Sequence, residues 1–130
     1  MTKRISPDRI DNLEEDQIFV FGSNLAGNHG AGAAATAMNN FGAIWGNGVG
    51  RQGKSYAIPT MHGGVDEINP YVDEFIQFAE NNRYLTFFVT RIGCGIAGFT
   101  DEEMAPLFEE AASLDNVYLP KTFWDIIEGK

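Results

Sequence analysis

The sequence predicts an α/β fold, a single domain in which strands and helices alternate around a mostly parallel sheet. Three observations lead there. Strand-like and helix-like segments alternate along the chain, two of the richest strand segments each run into a glycine-rich loop that opens a helix, and 130 residues suit one core. Neither a repeat nor a linker interrupts residues 1–130, and the 44% hydrophobic content is ordinary for a globular chain.

QIFVFG, Gln17 to Gly22, is β-branched and aromatic and predicts a buried strand. It leads through SNLAGNHGAG into AAATAMNNFG, a helix of small residues that can lie close on a sheet. SYAIPT, Ser55 to Thr60, predicts a short strand ended by Pro59. In NPYVDEFIQFAENN, Asn69 is placed to cap a helix with Pro70 at its first position. Val72, Phe75, Ile76 and Ala79 give that helix an apolar stripe. TFFVTRI, Thr86 to Ile92, is apolar through its middle and predicts a central strand. TDEE, Thr100 to Glu103, is a capping box, and Met104, Leu107, Phe108, Ala111 and Ala112 continue at helical spacing. Pro106 must kink that helix or mark a later start. NVYLP is a last short strand and TFWDII a terminal helical segment.

The formal charge of −9, from 18 acidic and 9 basic residues, leaves no basic run longer than Lys3-Arg4 and argues against a nucleic-acid partner. An acidic chain can still bind a small anion through backbone N–H groups. A single cysteine, Cys94, excludes an internal disulfide and a multi-cysteine zinc site. No apolar run approaches ~20 residues, so no membrane partner is expected. The N-terminus is polar and has no signal-peptide core. A reducing, cytoplasmic setting follows, and no metal or cofactor is expected.

GVGRQGKS, Gly48 to Ser55, spells both a P-loop and a dinucleotide fingerprint. Both motifs need a helix directly after them, and here YAIPT follows, β-leaning and closed by proline. The segment is therefore expected to be a connecting loop, with Arg51 and Lys54 available as a lid over an anionic ligand.

SNLAGNHGAGAA and RIGCGIAGFTDEE have the context that GVGRQGKS lacks: a strand before and a helix after. Ligands of α/β sheets sit beyond the carboxyl ends of strands. The expected ligand-binding residues are Gly22, Ser23, Asn24, Gly30, Ala31 and Gly32 on the first loop. On the second they are Gly93, Cys94, Gly95, Ile96, Ala97, Gly98 and Phe99.

These two loops resemble those of the macro domain, the ADP-ribose-binding module. FVFGSNLAGNHGAGAA is similar to its first loop, with Asn24, His29, Gly30 and Gly32 at matching places, and FFVTRIGCGIAGFTDEE is similar to its second through Gly95, Ile96 and Gly98. The resemblance spans roughly Gln17 to Ala112. It implies a three-layer α/β/α sandwich with a mostly parallel mixed sheet. It also implies a cleft that takes a small-molecule nucleotide such as ADP-ribose, with the second loop around the diphosphate and the first around the distal ribose. Hydrolysis of an ADP-ribosyl bond is a related activity. The family's base-reading aspartate falls in the region of Asp8 and Asp11. The chain departs from the family at Phe21, where many members carry a second asparagine, and at Ala33 or Ala34, where one hydrolytic branch carries an acid. It departs again at Ala97, where the ribose-stacking aromatic belongs, with Phe99 two residues late. A related nucleotide is therefore as compatible as ADP-ribose itself.

Candidate catalytic residues are Asn24, His29 and Cys94. A thiolate at Cys94 needs a helix N-terminus or His29 to activate it, and a small side chain there serves equally for packing. His29 suits a general base near neutral pH or a loop hydrogen bond. Arg91 suits a phosphate or a surface ion pair. Asp101, Glu102 and Glu103 suit the helix dipole, and His62 has no evident partner in the sequence. Two rival readings remain: a Cys94/His29-dependent hydrolase of another nucleotide-derived substrate, and a non-catalytic interaction protein that kept the fold without the ligand.

Overall fold

The computed structural model describes residues 3–95 and 97–129. Among these residues five strands form one mixed sheet. They are β1 (Gln17–Ser23), β2 (Gly50–Gln52), β3 (Ser55–Pro59), β4 (Thr86–Val89) and β5 (Val117–Tyr118), in the spatial order β2-β3-β1-β4-β5. β1 pairs in parallel with β3 and β4, β4 in parallel with β5, and only β2 runs antiparallel, against β3. The helices are α1 (Gly32–Asn40), α2 (Val65–Asn81), α3 (Asp101–Met104) and α4 (Lys121–Glu128).

Alternation along β1 divides the core between the two faces of the sheet. Ile18 and Val20 join a large cluster with α2, the α3 region and α4, whereas Phe19 and Phe21 join a smaller one with Ala34 and Ala37 of α1. The chain is thus an α/β sandwich with helices on both faces. Ile10 and Leu13 pack against the smaller cluster, so the N-terminal segment covers that face beside α1. The segment is also tied to the β5 edge, where Ser6 N–H donates to the Leu119 carbonyl at 2.9 Å.

One helix boundary differs from the sequence expectation. α2 begins at Val65 rather than at Pro70, because the Glu67 carboxylate accepts the Gly64 N–H at 2.7 Å and closes the first turn earlier. Pro70 then sits inside the helix on its exposed side, and the buried stripe is Ile68, Val72, Phe75 and Ala79. The capping box at Thr100 forms as expected, with Glu103 N–H donating to Thr100 Oγ1 at 3.1 Å. Pro106 limits the α-helix that follows to residues Asp101–Met104. Without a proline N–H the ladder cannot continue, and Ala105–Phe108 and Glu110–Ser113 take the tighter 3-10 form.

GVGRQGKS lies in the β2–β3 hairpin, with Gly53 and Lys54 between the strands. Ser55 Oγ donates to the Gln52 carbonyl at 2.7 Å and Lys54 Nζ reaches the Leu13 carbonyl at 3.4 Å. A strand follows the lysine, so no helix N-terminus faces a phosphate there. Among the described residues no helix is long and apolar enough to cross a membrane.

Candidate functional site

Connections leave β1 and β4 in opposite directions: β1 leads by way of α1 to β3, and β4 leads by way of α3 to β5 on the other side. The crevice beyond the carboxyl ends of these neighbouring strands is the topological switch point, where open α/β sheets hold ligands. A cavity of about 370 Å³ occupies it, inside the usual range of ligand pockets. Gly22, Ser23, Asn24, Gly30, Ala31 and Gly32 line it from the first glycine loop, and Gly93, Gly95 and Ala97 from the second. Both loops expected from the sequence thus meet at one site.

A second cavity of about 530 Å³ adjoins it, lined by the N-terminal segment from Ser6 to Asp11 and by Thr36 and Asn40 of α1. Ala33, Thr90 and Arg91 line both cavities, so the two form one elongated cleft with its waist at Arg91. Asp8 and Asp11 lie in the N-terminal lobe. Asp11 is paired with Arg9 at 2.9 Å, while Asp8 makes no ion pair or side-chain hydrogen bond among the described residues.

Backbone geometry explains the second loop. Gly93 adopts φ +80°, and a Cβ there would come within 2.8 Å of Met104 Sδ, so the chain turns over the core only as glycine. Gly98 turns back with φ +82° and donates its N–H to the Gly95 carbonyl at 3.0 Å. Gly98, Cys94 and Phe99 do not line the cleft. Cys94 and Phe99 pack instead against the large core cluster. Ile96 lies outside the described residues.

The first loop opens α1 without a side-chain cap: Ala31 occupies the N-cap position, and the first turn carries no acidic residue. The N–H groups of that turn lie among the residues that line the cleft, a favourable setting for a ligand anion. Asn24 also lines the cleft, but its side chain closes the loop. Its Oδ1 accepts the Asn28 N–H at 2.9 Å and its Nδ2 donates to the Asn28 carbonyl at 3.3 Å. The Ser23 hydroxyl is likewise committed, to the Gly48 carbonyl at 2.5 Å.

Two of the candidate catalytic residues, His29 and Cys94, stand off the cleft. His29 is fully buried and edge-on to Phe21, with ring centroids 5.3 Å apart. Its Nε2 lies 2.9 Å from the Asn47 carbonyl, an acceptor only, so Nε2 carries the proton. His29 therefore pins the loop 24–29 onto the loop 44–49 and does not line the cleft. Cys94 donates to the Asp101 carboxylate at 3.4 Å, and burial together with that neighbour pushes its thiol up to about 11. This is the opposite of an activated nucleophile. Alkylation of Cys94 by iodoacetamide is expected to be slow at neutral pH and to accelerate toward a midpoint near pH 11. The raised value also means that the protonated thiol's contribution to stability is complete below the ordinary value of 9.0 and is lost as pH rises through about 11. Rapid modification at pH 7 would restore the nucleophile reading.

Sequence reasoning overlooked Thr60 and Met61, which line the cleft at the carboxyl end of β3, and Thr90 at its waist. The signal was available, since β3 is a third parallel strand ending on the same side. His62 acquires a partner as well, its Nε2 accepting the Leu25 N–H at 2.8 Å. Arg51 and Lys54 line neither lobe, so the hairpin is no lid in this arrangement. Comparison with protein-family models, curated proteins and solved structures finds no match for this chain.

Proposed function

We propose that this chain binds ADP-ribose or a closely related nucleotide in the elongated cleft, as a macro-like domain. One observation carries the reading: two glycine loops leave adjacent parallel strands at the switch point and meet on a cleft that continues to an unpaired aspartate. The base would lie in the N-terminal lobe, where the Asp8 carboxylate can accept from an exocyclic amine. The diphosphate would lie at Gly93, Gly95 and the start of α1, where the glycines bring backbone to the cleft with no side chain of their own. The distal ribose would face Asn24 and Asn28.

Binding rather than turnover is the better-supported form. The raised Cys94 thiol and the buried His29 give the Cys94/His29 hydrolase no activated nucleophile and no base facing the cleft. Calorimetric titration with ADP-ribose, NAD, ADP, AMP and adenosine tests the reading. ADP-ribose is expected to bind most tightly, because it alone fills both lobes without a second base, and AMP is expected to be weaker. Absence of heat with every nucleotide would favour the ligand-free interaction protein.

A further inference from the structure

We propose that Arg91 seats the ligand's anionic group at the waist of the cleft, with the Asp101 carboxylate holding the guanidinium in place. The inference rests on the nucleotide reading only in taking phosphate as the anion. Arg91 lines both lobes, so whatever spans the cleft passes it. Its Nε and Nη2 donate to the two Asp101 oxygens at 3.1 and 2.7 Å, which leaves Nη1 uncommitted.

The pair is asymmetric in a way that a surface ion pair need not be. The Arg91 side chain is 58% exposed and that of Asp101 only 18%. Asp101 also accepts from Thr122 Oγ1 of α4 at 3.1 Å and from Cys94 Sγ at 3.4 Å. The carboxylate is thus anchored by α4 and by the glycine loop, and the guanidinium it grips is turned outward. A fork fixed through one edge retains a preorganised donor edge for phosphate. Such a cation matters in a chain of net charge −9, which otherwise repels anions. Among the described residues the only other cation lining the cleft is Arg9, which is 86% exposed and paired with Asp11.

Inorganic pyrophosphate separates this inference from the nucleotide reading. Titration into isotope-labelled wild-type protein should shift the Gly93 and Gly95 amides and the Arg91 Nε–H resonance. Arg91→Gln should weaken pyrophosphate by about tenfold or more, the scale of a charge-assisted hydrogen bond. It should also flatten the salt dependence of binding. Arg91→Lys keeps the charge without the fork and should recover only part of the loss. Thr122 and Cys94 still hold the Asp101 carboxylate in both variants, so a folded protein with at most a modest loss of melting temperature is expected. Pyrophosphate that leaves Gly93 and Gly95 unmoved, or binds equally well to Arg91→Gln, overturns the assignment. If ADP-ribose binds wild type and Arg91→Gln alike, the nucleotide reading stands and Arg91 falls. If pyrophosphate depends on Arg91 while ADP-ribose binds no better than pyrophosphate, Arg91 stands and the nucleotide reading falls.

Discussion

Gly30→Glu is expected to remove nucleotide binding while leaving the protein folded. Gly30 lines the cleft immediately before α1, has no positive φ, and a Cβ built there meets no atom within 4 Å. The new side chain therefore costs the fold little. Its carboxylate would enter the space in front of the uncapped first turn of α1, where the proposed phosphate lies. Like charges brought together at a binding site cost several kcal/mol, and a loss of ~3 kcal/mol is already roughly a hundredfold in affinity. Calorimetry with ADP-ribose and a thermal melt on the same preparation check both halves. Near-native affinity in a folded variant would take the first loop out of the site.

Gly48→Ala is expected to damage stability and binding together. A Cβ at Gly48 would fall 2.0 Å from the Asn24 carbonyl oxygen and 2.9 Å from that of Leu25. Both are backbone atoms of the loop that Asn24 closes on Asn28, so relief requires that loop to move. The same glycine receives the Ser23 hydroxyl through its carbonyl, and its neighbour Asn47 receives His29. Overpacking of this kind costs about 1–3 kcal/mol. Urea denaturation should show that loss, and ADP-ribose affinity should fall with it because Asn24 and Asn28 line the cleft. Gly95→Ala is the control: no atom lies within 4 Å of its Cβ, and stability should stay near wild type. A Gly48→Ala protein as stable as wild type would mean that the two loops are not packed as described.

Gly48 also marks the limit of what a motif reveals. In the sequence it opens GVGRQGKS and suggests a nucleotide loop, or merely a flexible connector. In the fold it is the surface on which the real candidate loop rests. The segment's neighbours, YAIPT and Pro59, were enough to reject the P-loop, because they forbid the helix it requires. They carried no sign of which loop Gly48 would touch.

Much of the architecture was written locally. The α/β class, a buried β1, the Thr100 capping box and the break at Pro106 all follow from periodicity, propensity and the missing proline N–H. Convergence of SNLAGNHGAGAA and RIGCGIAGFTDEE was also legible, since both follow parallel strands whose carboxyl ends share one side of the sheet. The start of α2 was not, because Asn69-Pro70 is a strong start signal and Glu67 supplied an earlier one.

Side-chain roles within the loops belong to the tertiary structure. His29 and Cys94 have the chemistry of a base and a nucleophile, but burial against Phe21 and the company of Asp101 make one a loop pin and the other a reluctant thiol. Asn24 was legible as a polar loop residue, and the Asn28 backbone decided where its amide bonds. Arg91 and Asp101 stand ten residues apart at the two ends of the second glycine loop, and nothing in that loop's spacing pairs them; the turn over Met104 at Gly93 helps bring them together. The sequence by itself determined which segments form strands and helices and which loops face the crevice, because those depend on near neighbours and on the period of hydrophobic residues. Whether a given polar side chain meets solvent, core or another loop was decided by contacts between residues distant in the chain, and no local pattern encodes those.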